Sequence, residues 1–238
     1  MANKHFGNVG DVFKHYLLAE ALTVAEPSSY METHAGSTYY SLSESKRRYA
    51  DWRSFTSRKQ PPTPYKQVLD QAIAGGIYPG SAVFAIKLLP VQCQIRLYDL
   101  DIGSVESLIR ASLLTKNVTV KREDGLAAAL ESPAELTLID PFRVYDGQPD
   151  SVSCFENLSQ RGNSVILWYP LLTAEERCPV AAEQIFQLQV PEDQIAASGG
   201  LAGCGFAVAN LPEVVSKALN CGMSSLQQTL PELQLVTA

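Results

Sequence analysis

What this chain lacks narrows it quickly. It has no run of about 18 apolar residues, so no membrane span and no membrane partner are expected. Met1-Ala2-Asn3-Lys4-His5 carries no apolar core of the kind a secretory leader needs, which points to a cytoplasmic protein. The five cysteines (Cys93, Cys154, Cys178, Cys204, Cys221) are odd in number, widely spaced and without a Cys-x-x-Cys pair. That argues for reduced thiols and against structural zinc. With three histidines and no metal-ligand spacing, no metal is expected either. The absence of a Gly-x-Ser-x-Gly elbow speaks against a hydrolase. Internal repeats and low-complexity segments are also missing.

What is present is ordinary globular composition, 46% apolar and 18% charged over 238 residues, enough for one large domain spanning 1–238 with an insertion. A monomer is expected. The net charge of −6 opposes wholesale coating of nucleic acid, but the average conceals a patch. Lys46, Arg47, Arg48, Arg53, Arg58, Lys59 and Lys66 share one segment with a single acid, Asp51, and are interleaved with Tyr49, Trp52, Phe55 and Tyr65. Such a segment can neutralise phosphates and stack on bases. It can equally be a solvated helix whose aromatics form a small core.

Strand patterns at Ser29–Thr33, Gln94–Leu100, Val118–Arg122, Leu136–Asp140, Val165–Tyr169, Ile185–Val190 and Phe206–Asn210 alternate with helical ones at Val105–Leu114, Leu126–Leu130 and Ala174–Val180. Alternation over this length predicts an α/β fold with a mainly parallel sheet. Seven strands suit a Rossmann-like methyltransferase sheet. Apolar positions Val12, Phe13, Leu17, Leu18 and Leu22 predict a helix over Val9–Thr23, with Asp11 at its positive end. Residues 41–77, carrying the basic–aromatic patch, a Pro61-Pro62 break and the helical run Tyr65–Ile73, read as a helical insertion after the first strand. The tail after Leu226 gives little pattern.

The most telling strand is Leu136–Asp140, because it ends on Asp140-Pro141, an acid followed by a residue that cannot donate to a ladder. In an open parallel sheet ligands bind beyond the carboxyl ends of the strands. There Asp140 and the Pro141 carbonyl can face the amino group of a nucleobase. Acids recur at comparable places: Glu32 opens the turn Glu32-Thr33-His34-Ala35-Gly36, Asp99 follows the next strand, and Asp124-Gly125 follows the one after. Each alone reads as readily as a helix cap or turn. Together they fit an adenosine-containing cofactor along one sheet edge.

The ordered set of motifs resembles the bacterial 23S ribosomal RNA adenine-N6 methyltransferase J family over about residues 5–212. The matching stretches are His5-Phe6-Gly7-Asn8-Val9-Gly10-Asp11-Val12-Phe13-Lys14-His15, Glu32-Thr33-His34-Ala35-Gly36, Tyr78-Pro79-Gly80-Ser81, Asp124-Gly125, Leu138-Ile139-Asp140-Pro141 and Leu167-Trp168-Tyr169-Pro170. The resemblance implies a class I methyltransferase fold with S-adenosylmethionine as cofactor, a helical insertion contacting ribosomal RNA, and methyl transfer to the N6 amine of an adenine. It further implies that Lys14, His15, Glu32, His34, Gly36, Ser81, Asp99, Asp124, Gly125 and Asp140 line the cofactor site. Asp140 and Pro141, with Lys14, carry the chemistry. Arg47, Arg48, Arg53 and Arg58, with Phe142 and Arg143, meet the RNA.

The chain departs from that pattern at three places. Asp-Pro-Pro-aromatic becomes Asp140-Pro141-Phe142-Arg143, so the stacking face falls to Phe142, Arg143 or Tyr145. Thr38 stands at the second glycine of the cofactor loop, and Asn-Pro-Pro becomes Asn210-Leu211-Pro212. These departures motivate an alternative, a catalytically degenerate methyltransferase-fold protein serving as a nucleic-acid-binding or regulatory module.

Overall fold

A computed structural model of the chain describes residues 6–42, 51–58, 62–115, 117–141, 148–173, 175–195 and 200–237. Along the chain run α1 (Val9–Ala25), β1 (Ser29–Glu32), β2 (Tyr39–Ser41), α2 (Asp51–Ser57), α3 (Pro64–Ala74), β3 (Ile77–Pro79), α4 (Ser81–Leu88), β4 (Gln94–Tyr98) and α5 (Ile102–Ser112). They are followed by β5 (Val118–Lys121), α6 (Gly125–Glu131), β6 (Leu136–Ile139), α7 (Gln148–Gln160), β7 (Ser164–Leu171), β8 (Gln184–Gln189), β9 (Gly203–Ala209), α8 (Glu213–Thr229) and β10 (Gln234–Thr237).

Eight strands form one sheet in the order β10-β8-β9-β7-β6-β1-β4-β5. β5, β4, β1, β6 and β7 are mutually parallel. β9 runs antiparallel between β7 and β8, and β10 pairs antiparallel with β8 at the edge. A mostly parallel sheet with β9 reversed near one end and β10 reversed at the edge, covered by helices, is the Rossmann-like fold of class I methyltransferases. The order reverses at β1, which has β4 on one side and β6 on the other. A crevice therefore opens between the ends of β1 and β6, where such sheets bind ligands. β6 and β9 are buried along their whole length and mainly apolar, as a sheet covered on both faces requires, with Thr137 the polar side chain in β6.

α1 is capped by Asn8, whose side chain accepts from the Asp11 amide, and is buried around nearly its whole circumference. That burial explains its weak amphipathicity: α8, α4 and α3 all pack on it. Between β2 and β3, which pair antiparallel, lie α2 and α3. Phe55 and Tyr65 from this stretch are fully buried against Tyr16 and Phe84, with Tyr65 and Phe84 stacked at 5.5 Å. These two aromatics are core, not base-stacking platforms. Arg58 makes a fork to the Glu232 carboxylate and donates to the Thr229 carbonyl, tying the end of α2 to the end of α8.

All seven expected strands are present, with ends shifted by one to three residues. The helix expected over Ala174–Val180 is not found among the described residues of that stretch. Pro179 cannot donate there, and the Glu176 carboxylate instead accepts from the Leu172 amide at 2.7 Å. β10, the β2–β3 ribbon, α4, α7 and α8 are additions to the sequence reading.

Candidate active site

The site is built where the parallel strands end. The turn after β1 crosses the ends of both neighbouring strands: the Thr33 amide donates to the Leu138 carbonyl (3.1 Å) and the Ala35 amide to the Tyr98 carbonyl (2.8 Å). Gly36 lies at φ +59°, where a side chain would be strained, and its amide donates to Asp99 Oδ2 at 2.8 Å. Asp99 Oδ1 accepts from the Asp101 amide, and Asp101 in turn caps α5 through the Ser104 amide. Asp124 caps α6 by accepting from the Leu126 and Ala127 amides. The first turn of α6 sits so close to the loop that a Cβ at Gly125 would fall 2.2 Å from the Thr33 carbonyl oxygen.

Three carboxylates thus surround the loop, and His34 reports their convergence. Burial lowers its pKa, while Asp140, Asp99 and Asp124 act in the opposite direction. Glu32 is turned inward and buried, with Tyr30 Oη donating to Oε1 (3.0 Å) and Ser81 Oγ to Oε2 (2.6 Å). Burial pushes its carboxyl up to about 7, against the two hydroxyl bonds. Ser81 is the first residue of α4, and a Cβ at Gly80 would meet the Ser37 carbonyl at 2.3 Å, so this turn is pressed against the loop after β1.

Asp140, one residue beyond β6, meets Lys14 from α1: Lys14 Nζ donates to Asp140 Oδ2 at 2.8 Å. Asp11, one turn earlier on α1, lies 3.4 Å from the same ammonium through Oδ1, and its Oδ2 accepts from the Gly7 amide. The ammonium also stands 5.0 Å from the centroid of the Trp168 ring. Burial by itself disfavours the charge on Lys14, but Asp140 and Asp11 more than reverse this and hold its pKa above the usual lysine value. Asp11 is raised, chiefly by burial. An apolar recess beside this pair is lined by Pro141, Trp168, Tyr169, Pro170 and Pro179, with the buried Ser151 Oγ having no partner among the described residues.

The expected residues therefore divide. Lys14, His34, Gly36, Asp99, Asp124, Gly125, Asp140 and Pro141 gather at the sheet edge. Glu32 and Ser81 form a buried pair beneath it. His15 points elsewhere, stacked on Phe84 at 5.2 Å with Nδ1 3.3 Å from Tyr78 Oη, and burial pushes its pKa well down. Arg53 lies exposed on α2. Phe142, Arg143, Tyr145, Arg47, Arg48 and His5 lie outside the described residues, as does the Trp52 side chain. Asp11 and Trp168 were not singled out as site residues. The signal for Asp11 was its three-residue spacing from Lys14, which places both on one helix face.

Among the described residues no helix is long and apolar enough to cross a membrane, and no group of three His, Cys, Asp or Glu could hold a metal ion. The donor set suits an adenosine-bearing sulfonium. Carboxylates at the ends of β4 and β5 can accept from ribose hydroxyls and an adenine amine. The acidic edge matches a positive sulfur, and the glycine turn lets such a molecule approach the backbone.

By fold the chain is a class I methyltransferase-type α/β protein. No protein-family model matches it, and no curated protein does. Among solved structures it is similar to protein LPL1258 from Legionella pneumophila str. Philadelphia 1, of the family model DUF519, with a TM-score of 0.80, 22% identity, and 98% of each chain covered. It shows weaker similarity to N-methyltransferase NodS from Bradyrhizobium japonicum WM9 in complex with S-adenosyl-L-homocysteine (TM-score 0.46, 13% identity, 87% of this chain and 90% of that one). An rRNA methylase from Streptococcus thermophilus gives a TM-score of 0.43 at 10% identity, over 84% of this chain and 95% of that one. The first shows the fold.

Proposed function

We propose that the protein transfers a methyl group from S-adenosylmethionine to the N6 amine of an adenine in 23S ribosomal RNA. The observation that carries this reading is Asp140 at the switch point of the sheet, followed by Pro141 and held by Lys14. Asp99 and Asp124 are assigned to the adenosine moiety, with Gly36 and Gly125 keeping the loop close. When bound, S-adenosylmethionine supplies an activated methyl group whose carbon–sulfur bond breaks with its electron pair staying on sulfur.

The chain's own residues then have to position the acceptor. An adenine drawn out of its stack presents its amino edge. Asp140 and the Pro141 carbonyl each accept one N6 hydrogen, which turns the nitrogen lone pair toward the donor. As the N6–methyl bond forms, the nitrogen becomes acidic and its proton leaves through the Asp140 carboxylate. Positioning supplies most of the acceleration, because the methyl group arrives activated. Lys14 aims Asp140, and Asp11 and Trp168 hold Lys14. Trp168 also offers an aromatic wall beside Pro141, where the usual second proline and aromatic are replaced by Phe142-Arg143.

The Lys14 contact favours a second reading too. A carboxylate already engaged by an ammonium suits a module that has given up catalysis and keeps nucleic-acid binding. The test is transfer of labelled methyl from S-adenosylmethionine to ribosomal RNA lacking the mark, with the product nucleosides separated. N6-methyladenosine is expected. Another methylated nucleoside rejects the acceptor, and RNA binding without transfer favours the second reading.

A further inference from the structure

We propose that the outer face of α5 pairs with the same face of a second copy of this chain, giving a two-fold dimer. α5 packs against β5, the strand at the end of the sheet, and buries Ser104, Val105 and Leu108. Its solvent side should be polar in a monomer. Instead Ile102, Ile109 and Leu113, just past its end, are 58%, 45% and 72% exposed. Scattered exposed apolar residues need no explanation, but these are aligned.

With Glu106 they fall at steps of four, three and four residues, the spacing of a helix–helix seam. Over the 11 residues of the helix that seam runs about 16 Å. The spacing is also self-complementary. An antiparallel partner with its axis between Ser107 and Leu108 sets Ile102 against Leu113 of the second copy and Glu106 against Ile109 of the second copy. Arg110 of the second copy then lies one residue away, within reach of the Glu106 carboxylate. Glu106 and Arg110 are both exposed and already paired along the helix at 3.8 Å, so each is free of the core to serve a second contact. An isologous contact of this kind covers Ile102 and Leu113 and brings the two charges together at once. It replaces the monomer expected from the sequence, and it does not depend on the proposed reaction.

The test is sedimentation velocity on the full chain over a micromolar concentration series. The wild type is expected to shift reversibly from monomer to dimer. Glu106→Arg sets like charges together across the axis and is expected to weaken association about tenfold or more. The double exchange Glu106→Arg with Arg110→Glu is expected to restore it to within about threefold, because the charges are complementary again. Far-UV circular dichroism and melting of each variant confirm that these exposed changes leave the fold intact. A wild type that stays monomeric throughout overturns the proposal. So does a dimer indifferent to Glu106→Arg, or a double exchange that does not restore pairing.

Discussion

Lys14 Nζ and Asp140 Oδ2 meet at 2.8 Å across 126 positions of the chain, joining the first helix to the end of β6. Lys14 also separates Asp140 from Asp11, whose Oδ1 is 3.4 Å from the same nitrogen. Lys14→Met should therefore leave two enclosed carboxylates facing one another. We expect a loss of about 2 kcal/mol at neutral pH by denaturant unfolding. The loss should shrink as pH falls, because protonation relieves the repulsion that the variant can no longer neutralise. Methyl transfer should fall with it. A variant as stable as wild type would show that the ammonium does not hold the two acids together.

Glu32 gives a pH signature. Its carboxyl is pushed up to about 7 by burial, from an ordinary value of 4.5, so the folded state binds the proton more tightly than the unfolded chain. The resulting stability is fully present below the unfolded value and is lost as pH rises through the folded one. At most roughly 3 kcal/mol should disappear between about pH 4.5 and 7. Glu32→Gln keeps the shape and should flatten that slope. Equal slopes in the two proteins would remove Glu32 as the cause.

Thr38 latches the loop after β1 to α5. Its Oγ1 lies 2.7 Å from Ser107 Oγ and donates to the Ser107 carbonyl, while Ser37 Oγ is 3.4 Å from Ser104 Oγ. Thr38→Gly removes the two bonds of the Thr38 hydroxyl and adds backbone freedom, for a cost of about 2 kcal/mol. Affinity for S-adenosylhomocysteine, read by calorimetry, should drop as the loop loosens. Unchanged affinity would make the latch purely a matter of stability.

Phe55 is fully buried between Tyr16 and Tyr65 and fastens α2 to the body of the protein. Phe55→Ala should cost about 3 kcal/mol in thermal or denaturant unfolding. RNA affinity at low salt should weaken with it if the neighbouring basic residues make the RNA face. Undiminished RNA binding by the folded variant would move that face elsewhere.

The strands were legible because their apolar residues fall in short runs or alternate with polar ones, and turn signals bound them. α8 was legible in principle: Val215, Leu219, Met223 and Leu226 keep helical spacing, but the polar residues between them obscured the run. Ala174–Val180 misled because its composition suits a helix and Pro179 does not. At the site, the acids could be placed at strand ends from the sequence. What each does there could not, because partners come from distant segments: Glu32 is claimed by Tyr30 and Ser81, and Arg58 by Glu232. Neighbouring positions on α1 diverge as well, Lys14 toward Asp140 and His15 into the aromatic core. The roughly 100° between successive helical residues makes such a split expected once one of them is fixed.

In the proposed reaction Asp140 orients the acceptor amine. The most direct test of this is single-turnover methyl transfer to unmarked 23S ribosomal RNA, at saturating cofactor and RNA, comparing wild type with Asp140→Asn. Saturation separates chemistry from binding. Wild type is expected to form N6-methyladenosine, and the variant to be slower by about a hundredfold or more. A variant that transfers methyl at the wild-type rate would contradict it.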